Sequence, residues 1–242
     1  MKHNFPIARR NILKLGALAL GTIVVSKATT SQANPAKKPE TILAFDQLGE
    51  DATPDRVLAE LLAGNKRFIS NQIEAPNQDY NRLQEVATGQ KPLVSIMSCS
   101  DSRVPLGIVF DRGIGDLFVV RDAGNIATPE EIGSLEYGAF VLSTPIVMVL
   151  GHEKCGAVKA ALDGKPLPGQ IGSIVAAIQP AIDRANKNES EEFYVDTIKR
   201  NVILQKERLE ASPLLSDLVE QGKLKIVGAY YSLKTGEVSL LS

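Results

Sequence analysis

The chain contains no tryptophan, only two cysteines and only two histidines among its 242 residues. Aromatic residues are 5% of the total. No excess of positive charge is present either: the formal net charge is −1. A nucleic-acid-binding surface normally announces itself as a basic excess, so that class is not indicated. No apolar run is long enough to span a bilayer. The longest, Leu15–Val25, is about eleven residues, against the roughly twenty that a helix needs to cross a ~30 Å hydrocarbon core. The first cysteine is Cys99, so a lipid anchor on an N-terminal cysteine is excluded.

What charge there is sits unevenly. Lys2, Arg9, Arg10, Lys14 and Lys27 fall within residues 1–33, which hold no acid. The rest of the chain keeps 22 basic against 28 acidic residues, a net of −6. Arg9-Arg10 precede the short apolar run, and Ser31-Gln32-Ala33 places small residues at the −3 and −1 positions of a cleavage after Ala33. These are the parts of a secretory signal, and the paired arginines point to twin-arginine export to a periplasmic or extracellular location. Residues 1–33 are therefore expected to be a signal peptide, 34–52 an extended arm, and 53–242 one domain. No stable membrane insertion is expected after cleavage.

Hydrophobic content of 44% is ordinary for a globular protein. Thr53-Pro54-Asp55 reads as a helix start, with Val57, Leu58, Leu61, Leu62 and Phe68 at helical spacing. A second helix is expected to end at Gly89. Short apolar runs at Pro92–Met97, Asp116–Val120, Pro145–Leu150 and Lys223–Ser232 read as strands, with a short last strand after Gly236. Thr128-Pro129-Glu130-Glu131 is a capping box opening a helix to about Val141. Further helices are expected over 171–186, 190–210 and 213–221. Strands alternating with helices predict an α/β fold whose mostly parallel central sheet is flanked by helices on both faces.

Cys99 and His152 each follow a buried strand, and Cys155 lies three residues after His152. Ligands of open α/β sheets gather at the carboxyl ends of strands, so the three can meet despite their separation in sequence. With His3 in the signal, they are the only thiols and imidazole of the mature chain. Two thiolates and one imidazole suit zinc, and three protein ligands with an open fourth position mark a catalytic site. A disulfide between the cysteines is the alternative that an exported protein raises. Asp101 and Arg103 follow at two and four residues after Cys99. Arg103 would hold Asp101 ionised, and Asp101 would accept a hydrogen bond from zinc-bound water or, in a closed state, take the fourth zinc position itself.

Cys99-x-Asp101-x-Arg103 with His152-x-x-Cys155 resembles the β-class carbonic anhydrases. The resemblance extends through Gly64–Phe68 (GNKRF), Cys99–Pro105 (CSDSRVP), Gly115–Asn125 (GDLFVVRDAGN), Gly133–Gly138 (GSLEYG) and Val149–Val158 (VLGHEKCGAV). It implies one Zn²⁺ per subunit on Cys99, His152 and Cys155, an Asp101–Arg103 catalytic dyad, and reversible hydration of carbon dioxide to bicarbonate with zinc hydroxide as nucleophile. It also implies a four-stranded parallel core and a homodimer, or multiple of dimers, with active sites near the interface. Family members whose site can be closed by the Asp have a Trp three residues before the first Cys; here that residue is Ile96. The open group has a Gln nine residues before it, matched by Gln90, and an active-site Phe and Tyr, matched by Phe118 and Tyr137. These three are the expected substrate-binding residues. The only mature histidine is a ligand, so proton release would rely on Tyr137, water or external buffer. Hydrolysis of carbonyl sulfide or carbon disulfide, a purely structural zinc module and a redox protein are the competing readings.

Overall fold

The computed structural model describes Leu48, residues 52–185 and residues 191–242, all of which fall in one compact unit, Ile42–Ser242. The expected signal peptide and most of the expected arm lie outside the described residues. Leu48, within that arm, is buried against the core.

Among the described residues, five strands form one sheet in the order β2-β1-β3-β4-β5. They are β1 (Val94–Cys99), β2 (Leu117–Asp122), β3 (Ile146–His152), β4 (Lys225–Tyr231) and β5 (Val238–Leu241). The first four pair in parallel and β5 returns antiparallel on β4. This is the expected α/β architecture, with a four-stranded parallel core and a short final strand. Every residue of β1 and β3 is buried, which is why both read as unbroken apolar runs: helices cover both faces of the sheet. β2, at the edge, alternates in exposure instead.

The helices are α1 (Pro54–Ile69), α2 (Tyr80–Glu85), α3 (Leu106–Val109), α4 (Pro129–Glu136), α5 (Gly156–Asp163), α6 (Ile171–Arg184), α7 (Glu191–Glu210) and α8 (Pro213–Glu220). Thr53 stands at the N-cap position of α1 with Pro54 in the first turn, as the sequence implied, though its side chain makes no capping bond. The second helix stops at Glu85, short of Gly89. The helix opened at Thr128 runs as α only to Glu136 and continues as a π-helical segment, Tyr137–Val141. Glu131 closes the capping box by accepting from the Thr128 amide at 3.2 Å.

The GNKRF segment has a structural task. Gly64 faces the backbone of Phe110 so closely that a Cβ there would lie 1.9 Å from the Phe110 carbonyl oxygen. That contact seats α1 directly on the turn after α3. Asn65 donates to the carbonyls of Val109 and Gly236 at 3.1 and 2.8 Å and accepts from the Val238 amide at 2.9 Å. Arg67 pairs with the buried Asp111 at 2.6 Å. One turn of helix thus ties α1 to α3 and to β5, holding the sheet's far edge in place.

Candidate metal centre and active site

β1 and β3 are neighbours, with Ser98 opposite Leu150. Cys99 and His152 are the last residues of these strands, so both emerge at the same carboxyl edge. The chain then turns through Glu153 and Lys154, the latter in a left-handed conformation (φ 54°), and enters α5 with Cys155 at its N-cap. The ligand atoms of Cys99, His152 and Cys155 all lie within 4.8 Å of one another, and all three residues are buried. The two sulfurs are 4.0 Å apart, and both cysteines are free.

The histidine identifies which way the site faces. Its Nδ1 lies 2.9 Å from the carbonyl oxygen of Glu153. A carbonyl only accepts, so Nδ1 carries the proton and Nε2 is left with its lone pair. That Nε2 is buried and makes no hydrogen bond. A backbone carbonyl on one ring nitrogen and a bare second nitrogen is the arrangement of a metal-ligating histidine. The two thiols are driven apart in acidity. A hydrogen bond from Cys155 lowers the Cys99 thiol most, against burial, with a smaller contribution from the Gly124 amide. Sharing that proton, together with burial, pushes Cys155 up. Two free thiols and a bare imidazole nitrogen converging in a buried pocket suit a cation. The donor set fits zinc: two sulfurs and one imidazole nitrogen, with no fourth side chain in the group among the described residues.

Asp101 stands at the mouth, its Oδ2 3.8 Å from His152 Nε2. Arg103 grips both its oxygens, Nε to Oδ1 at 2.9 Å and Nη2 to Oδ2 at 2.7 Å, and the Arg103 amide adds a bond to Oδ1 at 2.9 Å. The Arg103 side chain, more than the amide or any longer-range charge, holds the Asp101 carboxyl well below the usual carboxylate range. Arg103 is itself anchored on the Lys154 carbonyl at 3.2 Å, which links the dyad to the His-x-x-Cys turn.

Four neighbours went unread in the sequence. Arg121 donates to the Cys99 carbonyl at 3.0 and 2.5 Å and to the Asp101 carbonyl at 2.8 Å, fixing the chain between ligand and dyad. The Gly124 amide donates to Cys99 Sγ at 3.3 Å. Asp122, beside Cys99 in the β1–β2 register, is pushed up to about 7 by burial. Tyr194 of α7 donates to the Cys155 carbonyl at 2.7 Å. Arg121, Asp122 and Gly124 belong to the GDLFVVRDAGN segment, so that motif carried a signal for them; Tyr194 had none.

Gln90, Phe118 and Tyr137 are not brought to this centre within one chain. Phe118 pairs with Ser95, four residues before Cys99 along β1, or ~13 Å at strand spacing. Its ring packs against Tyr137 at 6.1 Å between centroids. Gln90 lines a cavity of about 880 Å³ with Leu93, Phe140, Pro145 and Lys223. Leu93, Pro145 and Lys223 each precede a strand, so this cavity lies at the amino edge of the sheet, opposite the metal-ligand cluster.

The sequence profile described as carbonic anhydrase matches residues 94–238. Carbonic anhydrase 2 of Mycobacterium tuberculosis is 37% identical over 187 residues, covering 74% of this chain and 89% of that protein. A carbonic anhydrase of Mycolicibacterium smegmatis is 35% identical over 199 residues, covering 79% and 95%. The fold is similar to that of Coccomyxa β-carbonic anhydrase, solved in complex with acetazolamide (TM-score 0.62, 26% identity, 76% of this chain and 86% of that one). It is also similar to that of a tetrameric β-carbonic anhydrase from Sordaria macrospora (TM-score 0.62, 21% identity, 77% and 98%).

Proposed function

The chain belongs to the carbonic anhydrase family, in its β class, and from that premise we propose that it hydrates carbon dioxide at a zinc ion held by Cys99, His152 and Cys155. The observation that carries the proposal is the bare, buried Nε2 of His152 facing two free thiols. Zinc bound there would supply the Lewis acidity that makes water a better nucleophile than it is in bulk. Asp101 would accept a hydrogen bond from a water at that site and so orient its lone pair towards the substrate carbon. Arg103 keeps Asp101 ionised and in place. With both its oxygens engaged by Arg103, Asp101 is held as an acceptor rather than as a fourth ligand, which supports the open form of the site.

The enzyme acts as a homodimer or a multiple of dimers. Val119, Tyr137, Phe140 and Val141 are large apolar residues left exposed around edge strand β2 and the π-helical segment. A second copy covering them would bring Phe118, Tyr137 and Gln90 to the partner's metal centre, where the phenyl ring holds the nonpolar substrate and the amide donates to its oxygen. Phe140→Glu is expected to shift the protein to monomers in sedimentation velocity and to lower hydration in parallel; monomers with full activity would remove these three residues from the site. Residues 1–33 direct export by the twin-arginine route, and Arg9→Lys with Arg10→Lys is expected to retain the chain in the cytoplasm on cell fractionation.

The direct test is stopped-flow hydration by zinc-loaded protein beginning at Asn34. Two thiolates would cancel the charge of a zinc ion held there, so water would be less acidified than at a three-histidine zinc, where its pKa is ~7. Activity is therefore expected to rise from neutral towards alkaline pH and, with no spare histidine as relay, to depend on buffer concentration. A zinc-loaded protein that hydrates no carbon dioxide at any pH would sink the reading and leave carbonyl sulfide or carbon disulfide as the substrate to try.

A further inference from the structure

Helix α7 carries a feature that its packing alone does not call for. Thr197, Asn201 and Gln205 recur every four residues on its inner face and are at most 1% exposed. Burying an amide is costly unless each of its polar atoms is bonded, and an apolar side chain would fill such a position without that cost. Here the bonds form one connected path. Arg208 Nη1 and the Ala127 amide both donate to Gln205 Oε1 at 2.9 Å. Gln205 Nε2 donates to Asn201 Oδ1 at 2.9 Å. Asn201 Nδ2 donates to the Gly124 carbonyl at 2.9 Å. The path ends on the metal centre, because the Gly124 amide donates to Cys99 Sγ at 3.3 Å.

No other residue type fits at Gly124. Its φ is +94°, which disfavours any side chain. A Cβ there would lie 2.9 Å from Ile178 Cδ1 and 3.0 Å from Ala157 Cβ. The residue is wedged between α5 and α6 on one side, and its carbonyl is fixed from α7 on the other. Both of its polar atoms are thereby determined, one by Asn201 and one by the sulfur.

We propose that Asn201 and Gln205 are positioning residues for the metal centre, a buried amide relay that aims the Gly124 N–H at the Cys99 sulfur. The proposal rests on Cys99 being a metal ligand. An N–H bonded to a thiolate withdraws charge that the sulfur would otherwise give to the metal, so the relay keeps a bound ion more electron-poor than two free thiolates would. Thr197 is on the same stripe but outside the path: its hydroxyl donates to the Phe193 carbonyl one turn back at 2.7 Å.

The test compares Asn201→Asp, Gln205→Glu and Thr197→Val with the parent chain. Asn201→Asp keeps the shape and the acceptor but removes the donor to Gly124. Gln205→Glu keeps the acceptor for Ala127 and Arg208 but removes the donor to Asn201, and it carries the test if Asn201→Asp does not fold. The readouts are the sulfur-to-cobalt charge-transfer bands of the Co²⁺-substituted protein, zinc affinity in competition with a chromophoric chelator, and the pH at which hydration rises. Both path variants are expected to move the bands to lower energy, to change zinc affinity by about tenfold, and to shift the activity rise to higher pH, while Thr197→Val changes none of the three. Folded path variants with parental bands and zinc affinity would overturn the proposal, whatever their melting temperatures. Parent protein that binds cobalt without hydrating carbon dioxide would sink the proposed function alone, leaving the relay to be judged on the bands. Parent protein that takes up no cobalt or zinc would overturn both.

Discussion

Cys155→Ser is expected to lose bound zinc and carbon dioxide hydration together. The serine hydroxyl is nearly isosteric but is not a thiolate at any working pH, and it leaves two ligands where three converge. Outer-shell partners of a metal site already cost about 10–100-fold in affinity or activity when removed, so loss of a direct ligand is expected to exceed that range. Fold disruption would be a trivial route to the same result. Cys155 is buried at the N-cap of α5, with Tyr194 bonded to its carbonyl rather than to its side chain, so the backbone contacts survive the change. Metal analysis after dialysis, stopped-flow hydration and thermal melting are measured on the same preparation. Zinc retained at one per subunit with full activity would remove Cys155 from the ligand set. Zinc retained without activity would instead favour a site in which the metal only supports the fold.

Asp101→Asn separates the chemistry from the metal. The variant is expected to bind zinc normally and to lose about 10²-fold or more in hydration, the range in which a positioned proton acceptor contributes. Two things fail at once. The amide presents an NH₂ where Arg103 needs an acceptor, so the pair of bonds at 2.9 and 2.7 Å cannot both form. The remaining carbonyl is a weaker acceptor than a carboxylate and is free to turn away. The pH dependence supplies an independent check. Arg103 depresses the Asp101 carboxyl, so the group is ionised through the whole neutral and alkaline range, and the residual activity of Asp101→Asn should keep the parental pH midpoint. The same sign gives the stability consequence: the dyad supports the fold above the ordinary carboxylate pKa and that support fades as pH falls through the lowered one. Because Arg103 is half exposed, this contribution is small beside the catalytic one.

The convergence of Cys99, His152 and Cys155 is legible in the sequence because it depends on local order. Two buried apolar runs predict adjacent strands, and a ligand at the end of each is carried to the same sheet edge by parallel pairing. The His-x-x-Cys spacing then needs only one turn into α5. Asp101 and Arg103 meet for the same reason, being two residues apart on a tight turn. The fold class followed from the alternation of apolar runs and helix signals. Element ends were harder: the helix from Thr128 changes to π geometry at Tyr137, and the second helix ends before Gly89, where no composition change marks the stop.

What only the tertiary structure decided is what lies across space from the site. The sequence alone paired Gln90, Phe118 and Tyr137 with the metal by resemblance, whereas the folded chain sets them towards the other end of the strands, so that a single copy cannot unite them with it. No local pattern distinguishes Asn201 and Gln205 from the other polar residues of α7; their burial, and the path to Cys99 through Gly124, arise from the way α7 packs on the sheet 77 residues further along the chain. Strand order and hydrophobic period are properties of short segments and can be read from them. Hydrogen-bond partners of a buried amide are set by whichever distant backbone the fold delivers, and that is known only when the chain has closed on itself.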